Sequence, residues 1–418
     1  MKRVAVDLTP LLAGGDNGGA KPLALELLRR LAVVAAPCEF VLLTNATSHA
    51  ELASLDAPNV RRLCVTQPAA APTVSVRRAL QARAVLARLL PEPALRRLAA
   101  WYAGRTATPP ANPLVRRLAA DLLFCPFTGA LFYDPAIPVV SLVHDLQYLA
   151  YPEFFDPADR AERDRHFRQV CQVAARIVCV SEFTRAAVLA HSGLPADRVV
   201  AIPSAPHRRL PIPAATPAPG RYLLYPANFW RHKNHELLLT AFGIYRAAHP
   251  QSDLKLVLTG APSSRRDELQ DAVRRMRLAP WVDFPGYLPD AAFAALLAGA
   301  AAMIFPSIFE GFGMPVLEAM AAGVPVLCGN LTSLPEVAGG AALLFDPRRP
   351  AAIVAAIERL EADPSLRASL IHRGRRHAAE FLQPEEWASR YWAVFQKAAA
   401  PPRSAGSPRR ESPAALAP

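Results

Sequence analysis

Between Ala300 and Val326 the chain passes through four segments of different character. Ala300 to Phe305 is apolar and stops at Pro306. Ser307-Ile308-Phe309-Glu310-Gly311-Phe312-Gly313 is a turn punctuated by two glycines. Met314-Pro315-Val316-Leu317-Glu318-Ala319-Met320 has the composition of a helix, and Ala321-Ala322-Gly323-Val324-Pro325-Val326 leads into a second apolar run. Buried strand, loop, helix and buried strand in that order form the unit of a parallel α/β sheet.

The same run carries a ligand signature. Gly311 and Gly313 let the backbone approach a ligand closely. Pro315 suits the first turn of a helix, where its missing N–H costs nothing. The unpaired N–H groups of that turn, with the positive end of the helix dipole, make a site for phosphate or another anion. Glu310 lies before the helix and Glu318 one turn inside it, so both carboxylates flank whatever binds there. A carboxylate beside a phosphate pocket is useful for binding hydroxyls, which points to a sugar and a ribose, hence a nucleotide sugar.

Glu310 and Glu318, with seven residues between them and Gly311-Phe312-Gly313 after the first, resemble the E-x7-E signature of retaining GT-B glycosyltransferases of family 4. The flanking Phe-Pro-Ser, Gly-Phe-Gly-Met-Pro and Glu-Ala-Met-Ala-Ala-Gly-Val-Pro-Val extend that similarity. The resemblance runs over nearly the whole chain, densest from Tyr222 to Pro347. It implies an α/β GT-B fold, in which two Rossmann-like doubly wound parallel-sheet domains face a central cleft.

The pattern of elements agrees with two α/β units. Candidate strands in the first half are Val4–Leu8, Phe40–Thr44, Val60–Val65, Leu122–Cys125, Val139–Val143, Ile177–Val180 and Val199–Ile202, with helices after Gly18, Asp159 and Glu182. In the second half they are Arg221–Tyr225, Leu254–Leu258, Val282–Phe284, Ala302–Phe305, Val324–Leu327 and Ala342–Phe345, with further helices from Ala351 to about Lys397. This gives a first domain over 1–205, a proline-rich linker over 206–220 and a second domain over 221–383. The family resemblance adds a helix over 384–398 that crosses back to the first domain. Residues 399–418 read as a disordered tail.

Charge and cysteine usage narrow the class. The formal net charge is +12, concentrated in an insertion over about 74–118. There Arg77 to Arg117 holds nine arginines and one acid, Glu92, interleaved with Leu86, Leu89, Leu90 and Trp101. A basic amphipathic segment of this kind suits an anionic membrane surface, and equally a solvated helical face. Neither zinc-finger spacing nor an RNP aromatic pattern accompanies it, so nucleic acid is not the expected partner. The six cysteines form no C-x-x-C pair, which fits a reducing cytoplasm and neither a disulfide framework nor a zinc site. The uncharged run Ala291 to Phe309 is broken by Gly299 and Pro306, and reads as a buried helix followed by a strand.

Three further segments carry candidate chemistry. Tyr225-Pro226-Ala227-Asn228-Phe229-Trp230-Arg231-His232-Lys233-Asn234 precedes a helix over Glu236–His249, with Asn234 as its expected N-cap. Arg231 and Lys233 there concentrate positive charge for a leaving diphosphate. The apolar run Ile137 to Val143 ends in His144-Asp145, either a capped strand end or a histidine aimed at a ligand. The loop Gly14 to Pro22 contains Gly18 and Gly19, either a simple turn or a phosphate approach. Ser181, before Glu182-Phe183-Thr184, reads equally as an N-cap or as part of the site.

The resemblance assigns roles to these positions. Glu318 would bind the ribose, and Glu310 with the backbone at Gly311, Phe312, Gly313 and Met314 the sugar. Lys233 and Arg231 would neutralise the diphosphate, His144 would orient the sugar from the other domain, and Gly18 and Gly19 would look toward the phosphates. No D-x-D pair sits in a loop suited to a metal, so neither metal nor cofactor is expected. The expected reaction is retaining transfer of a sugar, GDP-mannose being the favoured donor, to a hydroxyl of a glycan or lipid-linked saccharide in cell-surface polysaccharide assembly. The rival readings are a nucleotide-sugar epimerase or phosphorylase of the same layout, or a non-catalytic scaffold at the membrane. The expected location is the cytoplasm, or the inner face of the cytoplasmic membrane if the basic segment docks there.

Overall fold

The computed structural model describes residues 1–12, 18–65, 109–205, 221–381 and 383–400. Most of the basic segment 77–117, all of the linker 206–220 and nearly all of the tail lie outside the described residues. Two parallel sheets organise the rest. The first contains β1 (Arg3–Asp7), β2 (Glu39–Thr44), β3 (Val60–Cys64), β4 (Leu122–Cys125), β5 (Val139–Val143), β6 (Ala174–Cys179) and β7 (Val199–Ala201), in spatial order β3-β2-β1-β4-β5-β6-β7. The second contains β8 (Tyr222–Pro226), β9 (Lys255–Thr259), β10 (Val282–Gly286), β11 (Ala302–Phe305), β12 (Val326–Gly329) and β13 (Leu343–Phe345), in order β10-β9-β8-β11-β12-β13.

The strands form where apolar runs are buried on both faces, as parallel sheets require. Alternation along each strand assigns the faces. Val4, Val6, Phe40, Leu42 and Phe124 join one core, while Ala5, Val41, Leu43, Leu123 and Cys125 join the core on the opposite side. In each sheet the strand order reverses once, between β1 and β4 and between β8 and β11. Ligands of open α/β sheets bind beyond the carboxyl ends of the strands at such a reversal.

Several boundaries move for identifiable reasons. β12 starts at Val326, because the Val324 N–H still closes onto the Ala319 carbonyl at 2.9 Å after the left-handed Gly323, and Pro325 has no N–H to give. β6 starts early, at Ala174, because the helix Pro157–Val173 runs into it without a loop. The stretch from Ala351 to Lys397 is three helices, Pro350–Ala362, Pro364–Phe381 and Pro384–Ala399, each with proline in its first turn. Among the described residues no helix is long and apolar enough to cross a membrane. Ala291 to Phe309 divides between the helix Asp290–Ala298 and β11.

The helix Pro384–Ala399 packs on the first domain. Phe124 meets Phe395 at 4.9 Å between ring centroids and Tyr391 at 6.3 Å, and Phe40 meets Trp392 at 6.5 Å. Arg30 pairs with Glu385 at 2.8 Å at the helix start. Of the basic segment, Arg116 is described and pairs with Asp134 at 2.6 Å. Phe395 is fully buried, so Phe395→Ala leaves a cavity against β4 and is expected to cost about 3–5 kcal/mol. Denaturation followed by circular dichroism should show the loss. A midpoint equal to that of the unaltered chain would mean the helix is not part of the first domain's core.

Candidate active site

The second sheet brings its two central loops together. The Tyr225 side chain, buried at the end of β8, donates to the Lys233 carbonyl at 2.7 Å and lies 3.1 Å from the Ser307 hydroxyl. The Ile308 N–H reaches the His232 carbonyl at 2.9 Å. Asn234 occupies the helix N-cap position, but its side chain does not cap the helix. With φ of 61° it turns back, and its amide donates to the Pro306 and Pro347 carbonyls at 3.1 and 2.8 Å. The expected capping role is replaced by a tie between loops, and the helix is His235–Ala248.

This stitching sets Lys233 Nζ 2.5 Å from Glu310 Oε1, with side chains only 12% and 11% exposed. The ammonium also lies 5.4 Å from the centre of the Phe305 ring, a cation–π contact. The Glu310 N–H donates to the Thr332 hydroxyl at 3.1 Å, and the Ser333 hydroxyl lies 2.9 Å from both the Glu310 and Phe312 carbonyls. Gly313, with φ of 104°, has a left-handed backbone that any side chain would strain, and a Cβ there would also crowd the Leu334 side chain at 2.7 Å. The helix Met314–Ala321 then starts with Pro315 in its first turn, and Glu318 is buried one turn in.

Two side chains of this loop turn away from it. The Phe312 ring packs edge-on against Phe381 at 6.3 Å, and Met314 lies in the hydrophobic core. Arg231 is exposed in the single turn Arg231–Lys233, with no ion pair among the described residues, so it extends the positive surface outward from Lys233.

Across the cleft, His144 follows β5. Its Nε2 donates to the Pro126 carbonyl at 2.8 Å, and burial holds its pKa below the ordinary histidine value. The ring is therefore neutral, with Nδ1 as the hydrogen-bond acceptor. Asp145 accepts from the Gln147 N–H at 2.9 Å. Gly18, with φ of 54°, lies against Trp230, next to Arg231; a Cβ at Gly18 would come 2.4 Å from that ring. Gly19 begins the helix Ala20–Val34 with open space at its Cα. The remainder of that loop, 13–17, lies outside the described residues.

The domains also touch through Ser181, which the sequence left open between an N-cap and the site, and through Glu336, which no motif singled out. The Ser181 hydroxyl accepts from the Thr184 N–H at 3.1 Å, as an N-cap does, and also donates to the Gly311 carbonyl at 2.6 Å. Both carboxylate oxygens of Glu336 receive N–H groups of the first domain, from Glu182 at 2.9 Å and Phe183 at 3.1 Å. Phe309 is edge-on to Tyr151 and Phe183 at 6.0 and 5.8 Å. The Ser-x-x-Thr spacing signals the cap, but no local pattern signals a partner well over a hundred residues away.

Behind Lys233, His235 is fully buried between Tyr225 and Phe229, at 4.8 and 5.0 Å, with neither ring nitrogen hydrogen-bonded. Burial first, and the Lys233 charge second, push its pKa from 6.5 to about 3, and the same causes push His232 to about 2. As pH falls below 6.5 the unfolded chain takes up a proton at His235 that the folded chain refuses until about pH 3. Stability then drops by about 1.4 kcal/mol per pH unit from this residue alone. His235→Phe should remove that share of the slope and leave the His232 share. Urea midpoints measured from pH 7 to 4.5 test this, and parallel curves for the two proteins would show an ordinary histidine.

Comparison with known proteins agrees with this geometry. The model of "Glycosyl transferases group 1" matches residues 212–377, and that of "Glycosyltransferase Family 4" matches residues 17–205. The O-antigen chain mannosyltransferase B of Escherichia coli is 34% identical over 61% of this chain and 70% of that protein. The serotype-specific mannosyltransferase WbdA of Escherichia coli is 30% identical over 50% of this chain but only 26% of that larger protein. The crystal structure of Anabaena HepE in complex with UDP and glucose superposes with a TM-score of 0.67 at 15% identity, covering 95% of this chain and 100% of that one, which shows a shared fold. This chain belongs to the group 1, family 4 glycosyltransferases and is a sugar-transferring enzyme of the GT-B fold.

Proposed function

We propose that the chain is a retaining, metal-independent hexosyltransferase that moves mannose from GDP-mannose to a hydroxyl of a glycan or lipid-linked saccharide in cell-surface polysaccharide assembly. The observation that carries this reading is the Lys233–Glu310 contact of 2.5 Å, beside the N-terminus of the helix that holds Glu318. A sugar phosphate needs a cation at its phosphate and an acceptor at its hydroxyls within one bond's reach of each other, and this pair supplies both. Glu318, buried one turn inside that helix, takes the ribose hydroxyls in this reading.

In the proposed mechanism the bond between the anomeric carbon and the diphosphate oxygen breaks while the acceptor oxygen bonds to the same face of that carbon. The acceptor's proton passes to the departing phosphate oxygen, so charge is conserved without an enzymic nucleophile. Glu310 is held by Lys233 and serves the sugar hydroxyls. Lys233, Arg231 and the Met314 N–H at the start of the helix stabilise the diphosphate as its charge grows. His144, neutral with Nδ1 accepting, receives a hydrogen bond from a sugar hydroxyl. The mannosyl and polysaccharide assignment is supported by the O-antigen mannosyltransferase relative. The presence of UDP and glucose in the HepE complex makes a UDP-sugar the second reading for the donor, and thermal shift with GDP, UDP and ADP sugars separates the two. The arginines of 77–117 support docking on an anionic leaflet, which sedimentation with anionic vesicles at low salt tests.

The assignment of the carboxylates has its own test. Glu318→Ala should weaken binding of the free nucleoside diphosphate about tenfold or more, the loss of one charge-assisted hydrogen bond. Glu310→Ala should leave that binding nearly intact and abolish most transfer. Calorimetry showing the reverse order would overturn both roles. Turnover should also persist in excess chelator; loss with EDTA that magnesium or manganese restores would contradict the metal-independent mechanism. Product anomeric configuration read by NMR decides retention.

A further inference from the structure

We infer that Ser181, with Thr184 beside it, is a positioning residue for the transfer, one that carries the geometry of the first domain into the loop holding Glu310. The inference rests on the transferase reading above. Both side chains are fully buried at the domain junction. An N-cap serine uses only its lone pairs, accepting N–H groups of the first turn, so its proton remains available. Here the proton goes to the Gly311 carbonyl of the other domain at 2.6 Å. The Thr184 hydroxyl lies 3.3 Å from that same carbonyl and 3.3 Å from the carbonyl of His144.

Gly311 is fixed from its other side as well. A Cβ on it would sit 2.0 Å from the His144 carbonyl oxygen, so the peptide rests directly on the His144 backbone. One buried point therefore joins the residue after Glu310, the backbone of His144 and the two hydroxyls. A rotation of the Gly311 peptide would swing Glu310 off Lys233 and release the His144 backbone together. Glu336, seated on the N–H groups of Glu182 and Phe183, and Phe309, between Tyr151 and Phe183, hold the same faces in register. These contacts exist only while the domains are apposed, so apposition adds a first-domain donor at Gly311 to a loop that Thr332 and Ser333 already hold from within the second domain.

Three variants separate positioning from simple support of the fold. Ser181→Ala removes the donor and the cap. Thr184→Val removes its hydroxyl at constant shape and leaves the cap, since the Thr184 N–H still meets Ser181. Ser181→Thr restores the hydroxyl. We expect Ser181→Ala to lower kcat about tenfold or more, and Thr184→Val by a smaller factor, while the dissociation constant of the free nucleoside diphosphate stays within about twofold. Ser181→Thr should recover most of the loss. In the absence of any donor, hydrogen exchange at residues 310–313 should be faster in Ser181→Ala and Thr184→Val than in the unaltered chain. Unchanged kcat, a parallel fall in kcat and nucleotide affinity, or unchanged exchange in that loop would overturn the inference. If the unaltered protein turns over no sugar nucleotide, the transferase reading fails, and the exchange measurement alone decides whether Ser181 holds the loop.

Discussion

The contact between Lys233 Nζ and Glu310 Oε1 joins two loops that leave adjacent strands in opposite winding directions. A charge pair that is nine-tenths buried forfeits much of its hydration, and it persists only where geometry and neighbouring dipoles compensate. Here the compensation is structural. Tyr225 fixes the Lys233 backbone, Asn234 ties its loop to the end of β11, and Thr332 and Ser333 hold the backbone of Glu310. The parallel sheet makes this possible, because only at the reversal of strand order do the loops diverge and leave room between them. The rest of the second domain serves to keep that gap at one width.

Much of this was legible in the sequence, and the reason is local. Strands buried on both faces announce themselves as apolar runs, so all thirteen strands of the two sheets fall within a few residues of their expected positions. The glycines and proline of the Glu310–Glu318 segment have the same character: each answers a backbone requirement at its own position. The anion site expected there, flanked by carboxylates, is argued from the helix terminus itself. The sequence also placed Lys233 near a helix start, though not against Glu310.

What the sequence could not convey are properties shared between distant segments. Asn234 looked like an N-cap because asparagine before a helix commonly caps it; its left-handed backbone instead sends the amide to two carbonyls of other loops. Phe312 and Met314 were read as ligand contacts through their backbone; that their side chains lie in the core is a separate fact, which the linear pattern does not carry. Ser181 and Glu336 act on the opposite domain, and nothing within several residues of either marks the partner. In this fold, long-range hydrogen bonds across a cleft are invisible to periodicity, whereas helix and strand boundaries are not.

The return of the helix Pro384–Ala399 to the first domain has a consequence for biosynthesis. The face formed by Phe40 and Phe124 is covered by Tyr391, Trp392 and Phe395, which leave the ribosome only after the whole second domain. During translation that face waits uncovered while some two hundred residues are added, a period in which exposed apolar surface invites wrong associations. The first domain is thus begun first and finished last. A nascent chain halted after the second sheet would present a sticky, incomplete first domain, a natural client for chaperones that recognise apolar surface.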